Sequence, residues 1–207
     1  MRRLRHLLPD RVALLLIAIL LTAYALPWIV GAASALTFGA YDLAEWTSLN
    51  PTVREGNPPL VTTFWLRLPL ACIGLLAAVQ AWQARSAGWR LAFALIALLL
   101  IAAQLPPLEF LTSASGDPNY RQQFSLAAVT LVGGLAAARL SSRARNAAAL
   151  GTAILGLLSS TAGMAGAYPL FADFQLRAGI GIGFAVEVIA FVAYTVALFR
   201  ETGKQKE

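Results

Sequence analysis

Two ionisable side chains stand where an apolar helix should carry none. Glu187 sits in Phe184-Ala-Val-Glu187-Val-Ile189, and Arg67 sits in Phe64-Trp65-Leu-Arg67-Leu-Pro69. An ionisable group at membrane depth is costly, so it faces protein or water and marks a proton, ion or solute site by default. Counted from the outer helix ends at 1.5 Å per residue, Arg67 lies about 9 Å deep and Glu187 about 14 Å. An arginine side chain spans that difference, which predicts an Arg67–Glu187 pair if their helices touch. The competing reading is a packing clamp, since a buried pair adds little net stability.

A second group of charges lies in the longest stretch that lipid cannot dissolve, Thr37 to Pro69. Asp42 and Glu45 share a helix face at three-residue spacing, with Trp46 at headgroup depth. Together with Trp65, Arg67 and Glu187 they frame a candidate binding surface. Asp42 and Glu45 could also serve a lipid-modifying reaction if both faced the membrane. The remaining outer charges (Arg54, Glu55, then Asp117 and Arg121, then Asp173 and Arg177) alternate in sign and read equally as solvated loops.

Other chemistries are excluded by what the chain lacks. It has one Cys and one His, so it holds no internal disulfide and no Cys/His metal site. His6 lies in the basic head and leaves bis-His haem ligation impossible. There is no HExxH, no GxSxG and no phosphate-binding Gly-rich lysine motif. Ser159-Ser160-Thr161 has no histidine to activate it and reads as backbone hydrogen bonding. No cofactor and no metal are expected.

Composition says what must position these residues. The chain has 207 residues, 58% hydrophobic and 13% charged, with a mean hydropathy of +0.68. Soluble domains carry about 25% charged residues. The natural solvent is a bilayer, and the continuous apolar runs favour helices over a barrel. The fold expected is an all-α bundle of six transmembrane helices in one domain. They cover about 12–30, 61–82, 89–105, 124–140, 147–167 and 178–199, with a short interfacial helix over 40–49.

Net charge is +6, but the basic residues sit in short patches between apolar runs, which argues for a membrane pattern and against nucleic acid. Twelve of the sixteen Lys and Arg fall at residues 2, 3, 5, 11, 85, 90, 139, 143, 145, 200, 204 and 206. That places both termini in the cytoplasm of a cell with a bacterial-type plasma membrane. A cleaved signal peptide is the alternative for the first helix, because Ala23-Tyr-Ala25 resembles a cleavage site. Nine of the ten prolines gather on the outer side, so irregular backbone collects there. Pro69 lacks an N–H, which leaves the Trp65 carbonyl in need of a neighbour.

Small residues recur at four-residue spacing: Gly133 and Ala137, Gly134 and Ala138, Ser159 and Gly163, Gly179 and Gly183. They permit close backbone approach, within the chain or against a partner. A weak repeat relates Gly74-Leu-Leu-Ala-Ala to Gly134-Leu-Ala-Ala-Ala at an offset of one helical hairpin.

The function expected is non-catalytic: a small integral subunit or assembly factor of a larger inner-membrane complex, with lipid and other membrane subunits as partners. The alternative is a small-solute transporter or capture subunit, its outward site near Arg67 and Glu187.

Overall fold

The computed structural model describes residues 8–31, 36–173 and 177–203. The basic head at Arg2, Arg3, Arg5 and His6, and the tail lysines 204 and 206, lie outside the described residues, as does the side chain of Asp173. The chain is all-α. Six long helices carry it: α1 (Asp10–Ala25), α4 (Val61–Ala81), α5 (Ala87–Ala103), α6 (Pro118–Ala136), α7 (Ser142–Ala167) and α9 (Ile182–Gly203). Shorter helices α2 (Ala40–Leu49), α3 (Pro51–Arg54) and α8 (Leu170–Asp173) sit in the connections.

Three stretches are long and apolar enough to cross a membrane: Val61–Ala81, Ser142–Ala172 and Ile182–Glu201. Helix α5 is apolar but shorter. Helix α1, with 16 residues, covers about 24 Å against a hydrocarbon core of about 30 Å.

Helix α4 is the centre. It packs against α1, α2, α5, α6 and α7, and 72% of its apolar window is buried. A helix that is apolar all round finds its place in the interior. Helix α9 packs on α7 and α1 instead. Small residues set the close approaches. A Cβ on Gly163 would lie 2.9 Å from the Leu66 nitrogen, and one on Gly134 would lie 2.9 Å from the Ala78 Cβ. Gly183 presses on the Ala23 and Leu26 carbonyls. These stripes therefore serve packing within the chain. That Gly134–Ala78 approach also brings the two weakly repeated segments together.

Local signals account for the boundaries. Asp117 caps α6 by accepting from the Asn119 N–H, with Pro118 in the first turn. This starts the helix at 118 rather than 124. Ser141 caps α7 likewise and starts it at 142 rather than 147. Helix α1 ends at Ala25 rather than 30, because Pro27 cannot supply the N–H that continuation needs. The chain after it becomes strand β1 (Ile29–Gly31), paired antiparallel with β2 (Thr37–Phe38) and β3 (Ala178–Ile180) in the order β2-β1-β3. The last helix accordingly begins at Ile182, not 178. This small sheet was not anticipated. It closes one end of the bundle, with Trp28 buried between Tyr24 and Phe184.

At the same end, Trp46 of α2 stacks on Phe171 at 4.5 Å and meets Phe38 at 5.9 Å. Leu60, just before α4, takes a left-handed φ of 56°. That costs a side-chain-bearing residue roughly 1–2 kcal/mol. It is held there because its side chain is buried with Val53 and Leu170 and its carbonyl accepts from the Gln122 amide.

Candidate functional site

The polar residues at the sheet end form one connected network. Arg67, on the second turn of α4, is 4% exposed. Its guanidinium donates to Glu45 Oε1 of α2 at 2.6 Å, to Asn119 Oδ1 of α6 at 2.7 Å and to Gln122 Oε1 at 3.3 Å. Gln123 Nε2 also donates to Glu45 Oε1, at 3.0 Å. Charge-assisted bonds of this length are the strong kind. The network ties α2, α4 and α6 together.

A second pair extends it. Arg54 donates to Asp117 Oδ2 at 3.0 Å and to the Ser48 carbonyl at 3.2 Å. Partial burial pushes the Asp117 carboxyl up. The N–H groups of Asn119 and Tyr120 and the Arg54 guanidinium outweigh that and hold it below the usual carboxylate range. Beside the network, partial burial and the Glu45 charge push the Tyr41 phenol above its usual range, against the pull of Arg67.

The predicted Arg67–Glu187 pair does not form; Arg67 pairs with Glu45 instead. The reason is lateral placement. Helix α4 packs on α2 and α6, whereas α9 lies across α1 and α7. Glu187 is fully buried, and neither carboxylate oxygen has a partner among the described residues. Trp65 is half-buried against Phe64 and takes no part in the network. Asp42 is exposed in the first turn of α2, so Asp42 and Glu45 do not act as a pair.

Beside Pro69, Tyr24 Oη donates to the Leu66 carbonyl at 3.0 Å, one residue along from the Trp65 carbonyl that was expected to draw a neighbour. The Ser159 and Ser160 hydroxyls both donate to the Gly156 carbonyl at 2.9 Å, the backbone bonding their sequence suggested.

A cleft lined by Tyr24, Tyr41, Arg67, Gln104 and Gln123 adjoins the network and has room for about one water molecule. Arg67 Nε and Gln104 Oε1, both buried, are unpartnered there among the described residues. The network residues that sequence reasoning missed are Asn119, Gln122 and Gln123. Their signal was the Asp117-Pro118 cap, which turns an apparent loop into the first turns of a helix with two glutamines on it.

Glu187 supplies a direct test of whether it serves stability. An unpartnered buried polar group costs about 1–3 kcal/mol. Glu187→Met is therefore expected to raise the unfolding midpoint in micelles, by roughly that free energy. A lower midpoint would show that the carboxylate holds the fold together.

No family model matches the chain, and neither a curated protein nor a solved structure matches it significantly.

Proposed function

We propose that this chain crosses a bacterial-type plasma membrane six times, with both ends in the cytoplasm, as a non-catalytic subunit or assembly factor of a larger membrane complex. One observation carries the non-catalytic reading. Arg67 and Glu45, the charged pair best placed for chemistry, bond to each other and to glutamine and asparagine side chains of their own chain. The adjoining cleft takes about one water, not a solute. Such a network locks helices rather than awaiting a substrate. The positive-inside distribution of arginine supports the orientation, and the six long helices, three of them long and apolar enough to cross a membrane, support the span count.

A second reading rests on Glu187. Its two oxygens, unpartnered among the described residues, suit a solute or ion carrier. The lipid-modifying reading has no such support, because Glu45 is engaged and Asp42 stands apart from it.

Native mass spectrometry of the protein extracted gently from its own membrane separates these readings. Stoichiometric partner proteins are expected. A lone protein retaining a small molecule, lost in Glu187→Gln, would replace the subunit reading with the carrier. Orientation is tested in a Cys72→Ser background. A membrane-impermeant maleimide should label Ser115→Cys in intact cells and Ser86→Cys only after permeabilisation. The reverse pattern overturns the topology.

A further inference from the structure

Helices α5 and α6 lean on α4 more than on each other, leaving an apolar groove of about 170 Å³ between them. Its floor is Ala78, Ala81 and Trp82 of the α4 end. Its walls are Ala94, Leu98 and Ile101 on one side and Thr130, Leu131 and Leu135 on the other. The Trp82 indole N–H donates to the Gly134 carbonyl at 2.8 Å, and the Thr130 hydroxyl to the Leu126 carbonyl at 2.8 Å. The groove runs about 10 Å along α5, from Ala94 to Ile101.

Three arginines flank the lining residues in the chain at the end away from the sheet. Arg90 lies one turn before Ala94 on the same face of α5. Arg139 lies one turn beyond Leu135. Arg85 follows Trp82 in the connecting turn. All three are exposed, and none of their guanidiniums meets an acid among the described residues. Asp10, which touches this turn, is occupied by the Gln80 amide and the Arg85 backbone N–H. A positive-inside bias requires arginines on this side of the membrane. It does not require one a turn beyond each wall and one in the turn that follows the floor of a single groove.

We propose that this groove binds an anionic phospholipid, with the phosphate among Arg85, Arg90 and Arg139 and an acyl chain lying between α5 and α6. Charge complementarity selects the occupant. Basic pockets between helices at the cytoplasmic face bind anionic headgroups, and each arginine adds attraction for them. The small residues Ala78, Ala81 and Ala94 leave the width of a hydrocarbon chain. The site rests on the membrane reading above, and it deepens that reading by naming a lipid class.

Trp82 reports on the groove directly. The full-length protein is reconstituted in phosphatidylcholine vesicles containing brominated phosphatidylglycerol or brominated phosphatidylcholine at equal amounts. Trp82 quenching is the difference between the wild type and Trp82→Phe. Brominated phosphatidylglycerol is expected to quench Trp82 in clear excess. In the Arg85→Gln, Arg90→Gln, Arg139→Gln triple variant that preference should fall at least about tenfold. Ala94→Phe, which fills the groove from its wall without adding a tryptophan, should reduce chain contact while leaving the arginines in place. Equal quenching by the two lipids in the wild type overturns the lipid site and leaves the membrane reading intact. Quenching by neither, at Trp82 or at the other tryptophans, overturns the membrane reading as well. Quenching of the other tryptophans alone shows that Trp82 is shielded, and that assigns the groove to a protein helix instead.

Discussion

Glu45→Ala is expected to destabilise the protein by about 3 kcal/mol, more than removal of the arginine it pairs with. The asymmetry follows from burial. The Arg67 side chain is 5% exposed, whereas that of Glu45 is 38% exposed. Removing the carboxylate strands a positive charge in the bundle interior, and breaking a buried pair this way costs about 3–5 kcal/mol. The lower figure applies because water reaches the Glu45 position. Arg67→Leu leaves Glu45 with the Gln123 amide and with solvent, so its cost is about 1–2 kcal/mol, mainly from Asn119 and Gln122 losing their donor.

Glu45→Gln should fall between wild type and Glu45→Ala, since its oxygen still accepts from Arg67. The double variant Glu45→Leu, Arg67→Leu should recover most of the Glu45→Ala loss, as replacing both partners of a buried pair is often close to neutral. Equilibrium unfolding of the four proteins in mixed micelles measures the order. If Arg67→Leu proves the more damaging variant, the pair is not the clamp described here.

Gly163→Val is the second large effect, with an expected loss of about 3 kcal/mol. Overpacking typically costs about 1–3 kcal/mol. This case belongs at the upper end because the obstruction is backbone: the Leu66 nitrogen at 2.9 Å and the Trp65 carbonyl carbon at 3.0 Å from the added Cβ. A side chain could turn aside, but a helix backbone moves only as a unit, so α7 must leave α4. That displacement carries Arg67, one residue further on, away from Glu45. Gly163→Val and Glu45→Ala should therefore combine to less than their sum. Gly151, on the same helix, has nothing within 4 Å of its Cβ position. Gly151→Ala should gain up to about 1 kcal/mol through helix propensity. Thermal unfolding of both variants distinguishes a local packing effect from a general intolerance of α7 to substitution.

The residue types alone carried much of this structure. The helix at 40–49, the long apolar helices, the small-residue contacts and the serine bonds in α7 all follow from local rules: periodicity, spacing, turn residues and the absence of competing chemistry. The Asp117-Pro118 cap was equally local and was legible to the same rules, although the turns it starts were read as loop. The three short strands were not legible. Each is two or three residues long; β1 and β2 pair locally, and what completes the sheet is the pairing of β1 with β3 across more than a hundred residues.

The identity of the partner of Arg67 belongs wholly to the tertiary structure. Residue counting places a side chain at a depth along a helix, and at that depth Glu187 was as eligible as Glu45. Depth leaves open which helices are neighbours around the bundle. That choice is made by packing: Gly163 admits α4 close to α7, Gly134 admits it to α6, and α2 folds over its end, while α9 is held off by α1 and α7. An arginine in the interior bonds what packing brings within its reach, and packing brought Glu45, Asn119 and Gln122. The same choice left Glu187 buried without a partner among the described residues.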